Sequence, residues 1–376
     1  MGAADLPEVD VAIAGGGPVG CALALALSQS DLSVARIADD AGVADRPIAL
    51  SHGSRQILER LGAWSSITGS AIRTIHVSQQ GFGRAVIRCS DQGLPALGHV
   101  AAYSEVVARL ATRTPAISAS LASWESGDHG VDLQMSAGGE QARMRARMLV
   151  LADGGHNRVP GRVTDYHQRA VVAEVGAERA PDATAWERFT TEGPLALLPF
   201  GDRYALVWSV RTETAEELQQ LGDAEFLARL GQAFGRRLGT FRSTGPRSSF
   251  PLSLRRSPVR PAPRVLAIGN AAQTLHPVAG QGLNLGLRDA WELARMLLDA
   301  TKEEIGAPRL LARFARGRSL DRYAGIGFTD FLVRVFSNSV PPLALARGAG
   351  LAMLDMLPPA RNFLARRMMF GARALP

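Results

Sequence analysis

Residues 9–27 have the sequence VDVAIAGGGPVGCALALAL. A short apolar run rich in β-branched residues precedes three glycines, and a second apolar stretch follows them. This order predicts a strand, a tight turn and a buried helix. Gly15, Gly17 and Gly20 fit the pattern Gly-x-Gly-x-x-Gly, in which the backbone approaches a pyrophosphate closely and the helix N-terminus offers it N–H donors. The stretch predicts a dinucleotide-binding fold, and the alternative is a glycine turn without a ligand.

A second strand is predicted at residues 32–38, at the spacing of a βαβ unit. In such units an acidic residue near the end of this strand binds the ribose hydroxyls. Ala38 occupies the expected position here, so we assign the role to Asp39, one residue later. The alternative for Asp39 is a solvated loop aspartate.

Two further apolar strands are predicted at residues 145–152 and 264–268. They end in the polar turns Asp153-Gly154 and Gly269-Asn270, and open α/β sheets bind ligands at this end of their strands. Intervening segments alternate apolar and polar residues, which is typical of an antiparallel sheet and predicts a second, β-rich domain inserted into the first. The expected units are a dinucleotide domain at 8–70, 99–165 and 255–330, a β-rich substrate domain at 71–98 and 166–254, and a helical basic tail at 331–376.

The composition is that of an ordinary globular protein, with 376 residues of which 46% are hydrophobic and 20% charged. No run approaches the ~18 apolar residues of a membrane-spanning helix, and the acidic start differs from a signal peptide. Cys21 and Cys89 are too few for a disulfide framework and lack the spacing of a zinc site. We therefore expect a reducing, cytoplasmic location and no bound metal.

The most specific motif is GNAAQTLHPVAGQGLNLG at residues 269–286. It resembles the second flavin motif of the aromatic flavoprotein monooxygenases of the para-hydroxybenzoate hydroxylase type, in which a Gly-Asp turn is followed by Pro-x-x-Gly-x-Gly-x-Asn. Within that superfamily the chain looks most like the FAD-dependent hydroxylases of ubiquinone biosynthesis, in the 2-polyprenyl-6-methoxyphenol hydroxylase branch. Asn270 and Asn157 depart from the pattern, since they stand where aspartate and serine are usual.

The resemblance implies an α/β fold in which an FAD-binding Rossmann-like domain of the glutathione reductase type is interleaved with an antiparallel β-sheet substrate domain. It implies FAD as cofactor, NADH or NADPH as a transiently docked reductant, and O2 as co-substrate. A flavin C4a-hydroperoxide would then hydroxylate the ring of a polyprenyl phenol. The alternatives are a flavin-dependent reductase or dehydrogenase of the same fold, and a non-catalytic flavoprotein of a quinone-biosynthesis assembly.

The expected cofactor-binding residues combine the glycine patterns with positions suggested by the resemblance. A helix is predicted from Leu285, and N–H groups at its start would stabilise negative charge on a reduced flavin. Arg46 and Arg109 match positions where the family contacts the cofactor, and an exposed surface arginine is the alternative for both. The full set is Gly15, Gly17, Gly20, Asp39, Arg46, Arg109, Asp153, Asn270, Pro277, Gly280, Gly282, Leu283 and Asn284.

Two residues are candidates for catalysis. His276 precedes Pro277 beside the expected flavin ring, where an imidazole can orient substrate or relay a phenolic proton near neutral pH. Arg188 lies in the β-rich domain that would cover the substrate pocket. The alternatives are a structural histidine and a surface charge on a strand.

The segment from residue 331 contains six arginines and one aspartate among apolar residues. This composition suits helices lying on an anionic membrane surface, such as the inner face of the membrane, where a polyprenyl phenol would reside. Helices packed onto the flavin domain are the alternative, as is contact with other quinone-biosynthesis proteins. Nucleic acid is not expected, because the arginines are not interleaved with stacking aromatics.

Overall fold

The computed structural model describes residues 8–39, 45–154, 159–275, 280–336 and 341–371. Its strands, numbered in chain order, are β1 (Glu8–Ala14), β2 (Val34–Ala38), β3 (Pro47–Ser51), β4 (Ser70–Ile72), β5 (Thr74–Gln79), β6 (Arg84–Arg88), β7 (Gly98–Ala102), β8 (Ile117–Ser118), β9 (Ser120–Ser126), β10 (Val131–Ala137), β11 (Glu140–Leu151), β12 (Arg162–Ala177), β13 (Thr184–Phe189), β14 (Pro194–Phe200), β15 (Arg203–Arg211), β16 (Phe241–Thr244), β17 (Ser248–Arg256), β18 (Val265–Ala267) and β19 (Gln273–Thr274).

The helices are α1 (Pro18–Leu27), α2 (His52–Arg60), α3 (Tyr103–Ala111), α4 (Thr212–Gln220), α5 (Asp223–Phe234), α6 (Gln281–Leu298), α7 (Pro308–Phe336), α8 (Pro341–Met356) and α9 (Pro358–Phe370). Helix α7 runs without interruption through residue 331, so the expected start of the basic tail falls inside a helix rather than at a break in the chain. No described helix combines the length and the apolar character that crossing a membrane requires.

The first sheet contains the predicted βαβ unit. Strand β1 lies parallel to both β2 and β11, and β11 continues parallel to β18. The remaining strands of this sheet are β8, parallel to β2, and the antiparallel strands β9 and β10. The carboxyl ends of β1, β2, β11 and β18 therefore meet at one edge, as the sequence predicted.

Both faces of this sheet are covered, which explains why β1 is apolar on consecutive positions. Val11 and Ile13 pack in one cluster with α1, α2, α3 and α6, whereas Ala12 and Ala14 pack with residues of β9 to β11 on the other face. Gly20 allows α1 to lie against β1, because a Cβ at this position would be 2.6 Å from the Gly15 carbonyl oxygen. The third glycine of the motif is thus required by packing.

The second sheet has nine strands, in the order β19-β17-β12-β15-β14-β13-β5-β6, with β16 also paired to β12. Its pairs are antiparallel except for β13 with β5. One face packs against α4 and α5 in a separate apolar cluster. A third, three-stranded sheet with the order β3-β7-β4 connects the two larger units.

Candidate active site

One cavity of about 1710 Å³ extends from the carboxyl edge of the first sheet to the face of the nine-stranded sheet opposite α4 and α5. A pocket for a single small molecule usually has a volume of roughly 300–1,000 Å³. The cavity therefore has room for a dinucleotide and a second ligand. Its two ends differ in chemistry, since glycines and charged residues line the first end and apolar side chains line the second.

The N-terminus of α1 opens into the first end. Gly17 is the N-cap, no side chain caps the helix, and its first turn contains no acidic residue. Uncapped N–H groups carry partial positive charge and attract anions. Gly15 and Gly17 line the cavity, whereas Gly20 is a packing residue. The geometry suits a pyrophosphate, as the glycine pattern predicts.

A second uncapped helix N-terminus faces the same cavity. Gly280 is the N-cap of α6 with a left-handed φ of 59°, and Gly282 and Leu283 line the cavity in the first turn. The first turn of α6 again contains no acidic residue. Two helix N-termini that converge on one space favour a ligand carrying negative charge at two points.

The Asn284 side chain links α6 to β3, a role that the sequence did not reveal. It is buried, accepts a hydrogen bond from the Ser51 N–H at 2.8 Å, and donates to the carbonyl oxygens of Ala49 at 3.0 Å and Gly280 at 2.6 Å. These bonds fix the start of α6 to β3. Asn284 does not line the cavity, so it positions Gly280 and Gly282 rather than contacting the space directly.

The turn after β18 presents Asn270 to the cavity. The N–H of Gly269 donates to a carboxylate oxygen of Asp289 at 3.1 Å. The other oxygen of Asp289 accepts from Arg318 at 2.7 Å, and Arg318 also pairs with Asp321 at 2.5 Å. All three charged side chains are buried, so this network holds the turn against α6 and α7.

Asp39 lies exposed beside the end of β2 and lines the cavity, and its ribose-binding role stays a prediction. Ala38 restricts the residue at position 16, because a Cβ on Gly16 would lie 3.1 Å from the Ala38 Cβ. Arg36 also lines this end, although the sequence did not single it out. Its guanidinium is buried and donates twice to the Thr114 carbonyl oxygen, at 3.0 and 2.5 Å.

Arg46 and Tyr103 meet at the cavity wall. The guanidinium of Arg46 lies 4.4 Å from the centre of the Tyr103 ring, and both residues line the cavity. Asp45 fixes this loop to α3, and hydrogen bonds from the Ser104 side chain and N–H lower the pKa of the Asp45 carboxyl. Arg109 is exposed in the last turn of α3 and does not line the cavity.

Asp153 is half-buried at the end of β11 and lines the cavity. Asn157, His276 and Pro277 lie outside the described residues. The predicted roles of His276 and Pro277 therefore remain predictions from the motif.

The second end of the cavity is floored by the nine-stranded sheet. One row of paired residues crosses it, and each member lines the cavity: Ala85, Val77, Glu187, Ala196, Val207, Val172 and Ser248. Arg188, the next residue along β13, points to the opposite face because side chains alternate along a strand. Its Nε donates to the Ala233 carbonyl oxygen at 3.0 Å. The structure therefore does not bring Arg188 into the cavity and places Glu187 there instead.

Helices α7, α8 and α9 cover this floor. Their contributions to the cavity wall are Phe331, Val335, Ala346, Arg347, Gly350, Leu351, Leu354, Leu364 and Met368. The Asp355 carboxylate accepts from the Val86 N–H at 2.9 Å, and Arg361 pairs with Asp91 at 3.1 Å. The basic tail thus packs onto the fold, which is the alternative that the sequence left open.

Comparison with known proteins assigns this architecture to a class. Residues 8–320 match the family described as FAD binding domain. The chain belongs to this family, and within it to the FAD-dependent hydroxylases of ubiquinone biosynthesis. The predicted family and fold class are confirmed.

Two relatives are similar along most of their length. Ubiquinone hydroxylase UbiL of Rhodospirillum rubrum is 33% identical, and the match covers 96% of this chain and 89% of the relative. The 3-demethoxyubiquinol 3-hydroxylase of Escherichia coli is 31% identical, and the match covers 91% of this chain and 93% of the relative. The crystal structure of p-nitrophenol 4-monooxygenase PnpA from Pseudomonas putida has a TM-score of 0.75 over 96% of this chain and 97% of that one. At 18% identity, this last likeness shows the shared fold alone.

Proposed function

We propose that this chain is an FAD-dependent monooxygenase that hydroxylates the ring of a polyprenyl phenol in ubiquinone biosynthesis, with NADH or NADPH as reductant and O2 as co-substrate. One observation carries the proposal: a single cavity joins two uncapped helix N-termini to an apolar compartment large enough for a second ligand. The printed names of the two relatives, a ubiquinone hydroxylase and a 3-demethoxyubiquinol 3-hydroxylase, support the substrate class.

The lining of the first end fits FAD. Gly17 leaves open a position that a side chain would fill, and the N-terminus of α1 offers donors to the pyrophosphate. When bound, FAD would supply the transfer of electrons from the reductant to O2. The residues that would hold it are Gly15, Gly17, Asp39, Arg46, Tyr103, Asp153, Asn270, Gly280, Gly282 and Leu283.

The protein contributes position, charge and exclusion of water. The N-terminus of α6 would stabilise negative charge on the ring system, because its first N–H groups are not occupied by a side-chain cap. Apolar side chains from α8, α9 and the sheet surround the second compartment and keep water from the reacting atoms. A flat phenol ring would lie on the small side chains of Ala185 and Ala196, on the adjacent strands β13 and β14.

An assay that follows reductant, oxygen and product together separates this function from its rivals. A monooxygenase consumes NAD(P)H and O2 in proportion to the hydroxylated phenol that it forms. A reductase or dehydrogenase of the same fold forms no hydroxylated product, and a non-catalytic flavoprotein consumes neither reductant nor O2.

We also propose that a corner of the tail contacts lipid. The α8–α9 corner, defined as Met353, Met356, Leu357 and Phe363, exposes between 42% and 80% of each side chain. Neighbouring residues of the same two helices, Leu354 and Leu364, line the cavity. The corner would therefore receive a polyprenyl phenol from the membrane at the place where the cavity wall begins. The arginines of the tail are weaker candidates for lipid contact than this apolar corner. Arg361 pairs with Asp91, and Arg366 donates a hydrogen bond to the Gln92 side chain.

Replacing Met353, Met356 and Phe363 together with glutamine should release the protein from vesicles. Each apolar side chain stabilises the bound state by roughly 1 kcal/mol or more when it enters the interface, so binding should weaken on the order of 10²-fold. Flotation with anionic vesicles measures this, and the flavin spectrum should stay unchanged. Leu298→Gln, an equally polar change at an exposed residue of α6, is the matched control. Equal flotation of the triple variant and the control would contradict lipid contact at this corner.

A further inference from the structure

Glu187 is a carboxylate in the middle of an apolar floor. It lies on β13, and its half-buried side chain faces the second compartment of the cavity. The residues directly opposite on the two neighbouring strands are Val77 and Ala196. The residues two positions before and after it on β13, Ala185 and Phe189, line the cavity as well and are buried.

The carboxylate of Glu187 has no ion-pair or hydrogen-bond partner among the described residues. Burial alone raises its pKa to about 7. His76 on β5 is directed away from the cavity, where its ring lies 4.8 Å from that of Trp186. An unpartnered carboxylate in an apolar compartment is unfavourable in the free protein, and a hydrogen-bond donor on a ligand would relieve that cost.

None of the other charged or titratable groups that line the cavity is an ion-pair or hydrogen-bond partner of Glu187. Glu174 is on β12, three strands from β13 and therefore roughly 14 Å away. Arg347 on α8 donates to the Val335 carbonyl oxygen at 2.8 Å. The remaining groups lie at the dinucleotide end of the cavity: Arg36, Asp39, Asp45, Arg46, Tyr103 and Asp153.

We propose that Glu187 binds the phenolic hydroxyl of the substrate and accepts its proton as the ring is hydroxylated. This inference rests on the proposed function and names the residue that recognises the phenol. In the step, the phenolic O–H bond breaks and the proton forms the O–H bond of the Glu187 carboxylic acid. The electron pair stays on the phenolate oxygen and enriches the ring carbons ortho and para to it. The acid returns the proton to the phenolate oxygen before product leaves.

The pH dependence follows from the ionisation of Glu187. A base acts only when it is deprotonated, so hydroxylation should rise with pH through about 7 and then level off. A side chain with a pKa near the working pH combines a deprotonated population with useful basicity. Since Glu187 has this property and faces the expected ring position, it is suited to the proton transfer.

Glu187→Gln tests the role, with Glu174→Gln as the matched control in the same cavity. Two readouts are measured on the FAD-loaded proteins. The first is the pH profile of hydroxylation. The second compares the dissociation constant of 2-prenylphenol with that of its O-methyl ether, and the change in the flavin spectrum reports the binding of each. The wild type and Glu174→Gln should bind the phenol on the order of tenfold more tightly than the ether at pH 8, because the hydroxyl donates to a charged acceptor. Glu187→Gln should lose most of this preference, lose the rise near pH 7, and hydroxylate on the order of 10²-fold more slowly.

A second variant, Glu187→Asp, keeps a carboxylate that is one methylene shorter. It should retain the pH-dependent rise at a lower rate, which a purely structural role would not produce. Unchanged phenol preference and unchanged pH profile in Glu187→Gln would overturn the proposal. If the wild type prefers phenol over ether through Glu187 but forms no hydroxylated product, the assignment of Glu187 stands and the proposed function fails.

Discussion

Gly17→Val should fold like the wild type and retain little or no flavin. The backbone at Gly17 is extended, with φ of −76° and ψ of 174°, so any residue can adopt it. A Cβ there would meet only the Tyr103 hydroxyl oxygen, at an ordinary 3.4 Å. The added methyl groups would therefore occupy the cavity at the N-terminus of α1, where the pyrophosphate would lie. The ratio of flavin to protein measures the loss, and circular dichroism reports the fold.

Gly15→Val provides a contrasting variant in the same turn. Gly15 has a φ of 149°, and a Cβ at this position would collide with the backbone carbonyl of Ala152, the residue that follows the neighbouring strand β11. This protein should fail to fold, so its lack of flavin would carry no information about the site. A Gly17→Val protein that keeps a full complement of flavin would show that the first glycine motif does not hold the cofactor.

Asp289→Ala should destabilise the protein by about 3–5 kcal/mol, because it removes one partner from a buried ion network. Arg318 would lose its 2.7 Å contact, and the Gly269 N–H would lose its acceptor. Since that N–H fixes the turn that carries Asn270, flavin binding should weaken together with stability. Urea unfolding measures the first effect and flavin titration the second.

Asp299→Ala is the control for this substitution. Asp299 is exposed at the end of the same helix, so its removal should change the free energy of unfolding by no more than about 0.5 kcal/mol. Asp289→Ala with the same urea midpoint as Asp299→Ala would contradict the role of the network.

The glycine turn and its flanking strands could be predicted because their signals are local. A run such as Val11 to Ala14 is apolar at consecutive positions only if both faces are covered, and the glycines follow at fixed spacing. Helix α6 was also predicted from a local pattern, but from Leu285, four residues after its observed start at Gln281. The role of Asn284 was not, since its partners Ala49 and Ser51 lie more than 230 residues away in the chain.

The orientation of Glu187 and Arg188 could not be predicted from the sequence. Alternation along β13 predicts that they point to opposite faces, but the sequence does not indicate which face borders the cavity. Helices α4 and α5 cover the face of Arg188, and that packing is known only from the structure. Tyr103 was missed for a similar reason, because pairing of β3 with β7 brings it to Arg46.

Incorporation of oxygen from labelled O2 tests the central claim most directly. The purified, FAD-loaded protein would be given NADH or NADPH, a polyprenyl phenol and isotopically heavy oxygen gas, and the product analysed by mass spectrometry. The account predicts a heavy oxygen atom on the phenol ring, in an amount that matches the reductant consumed. Oxidation of the reductant with an unlabelled, unchanged phenol would contradict it.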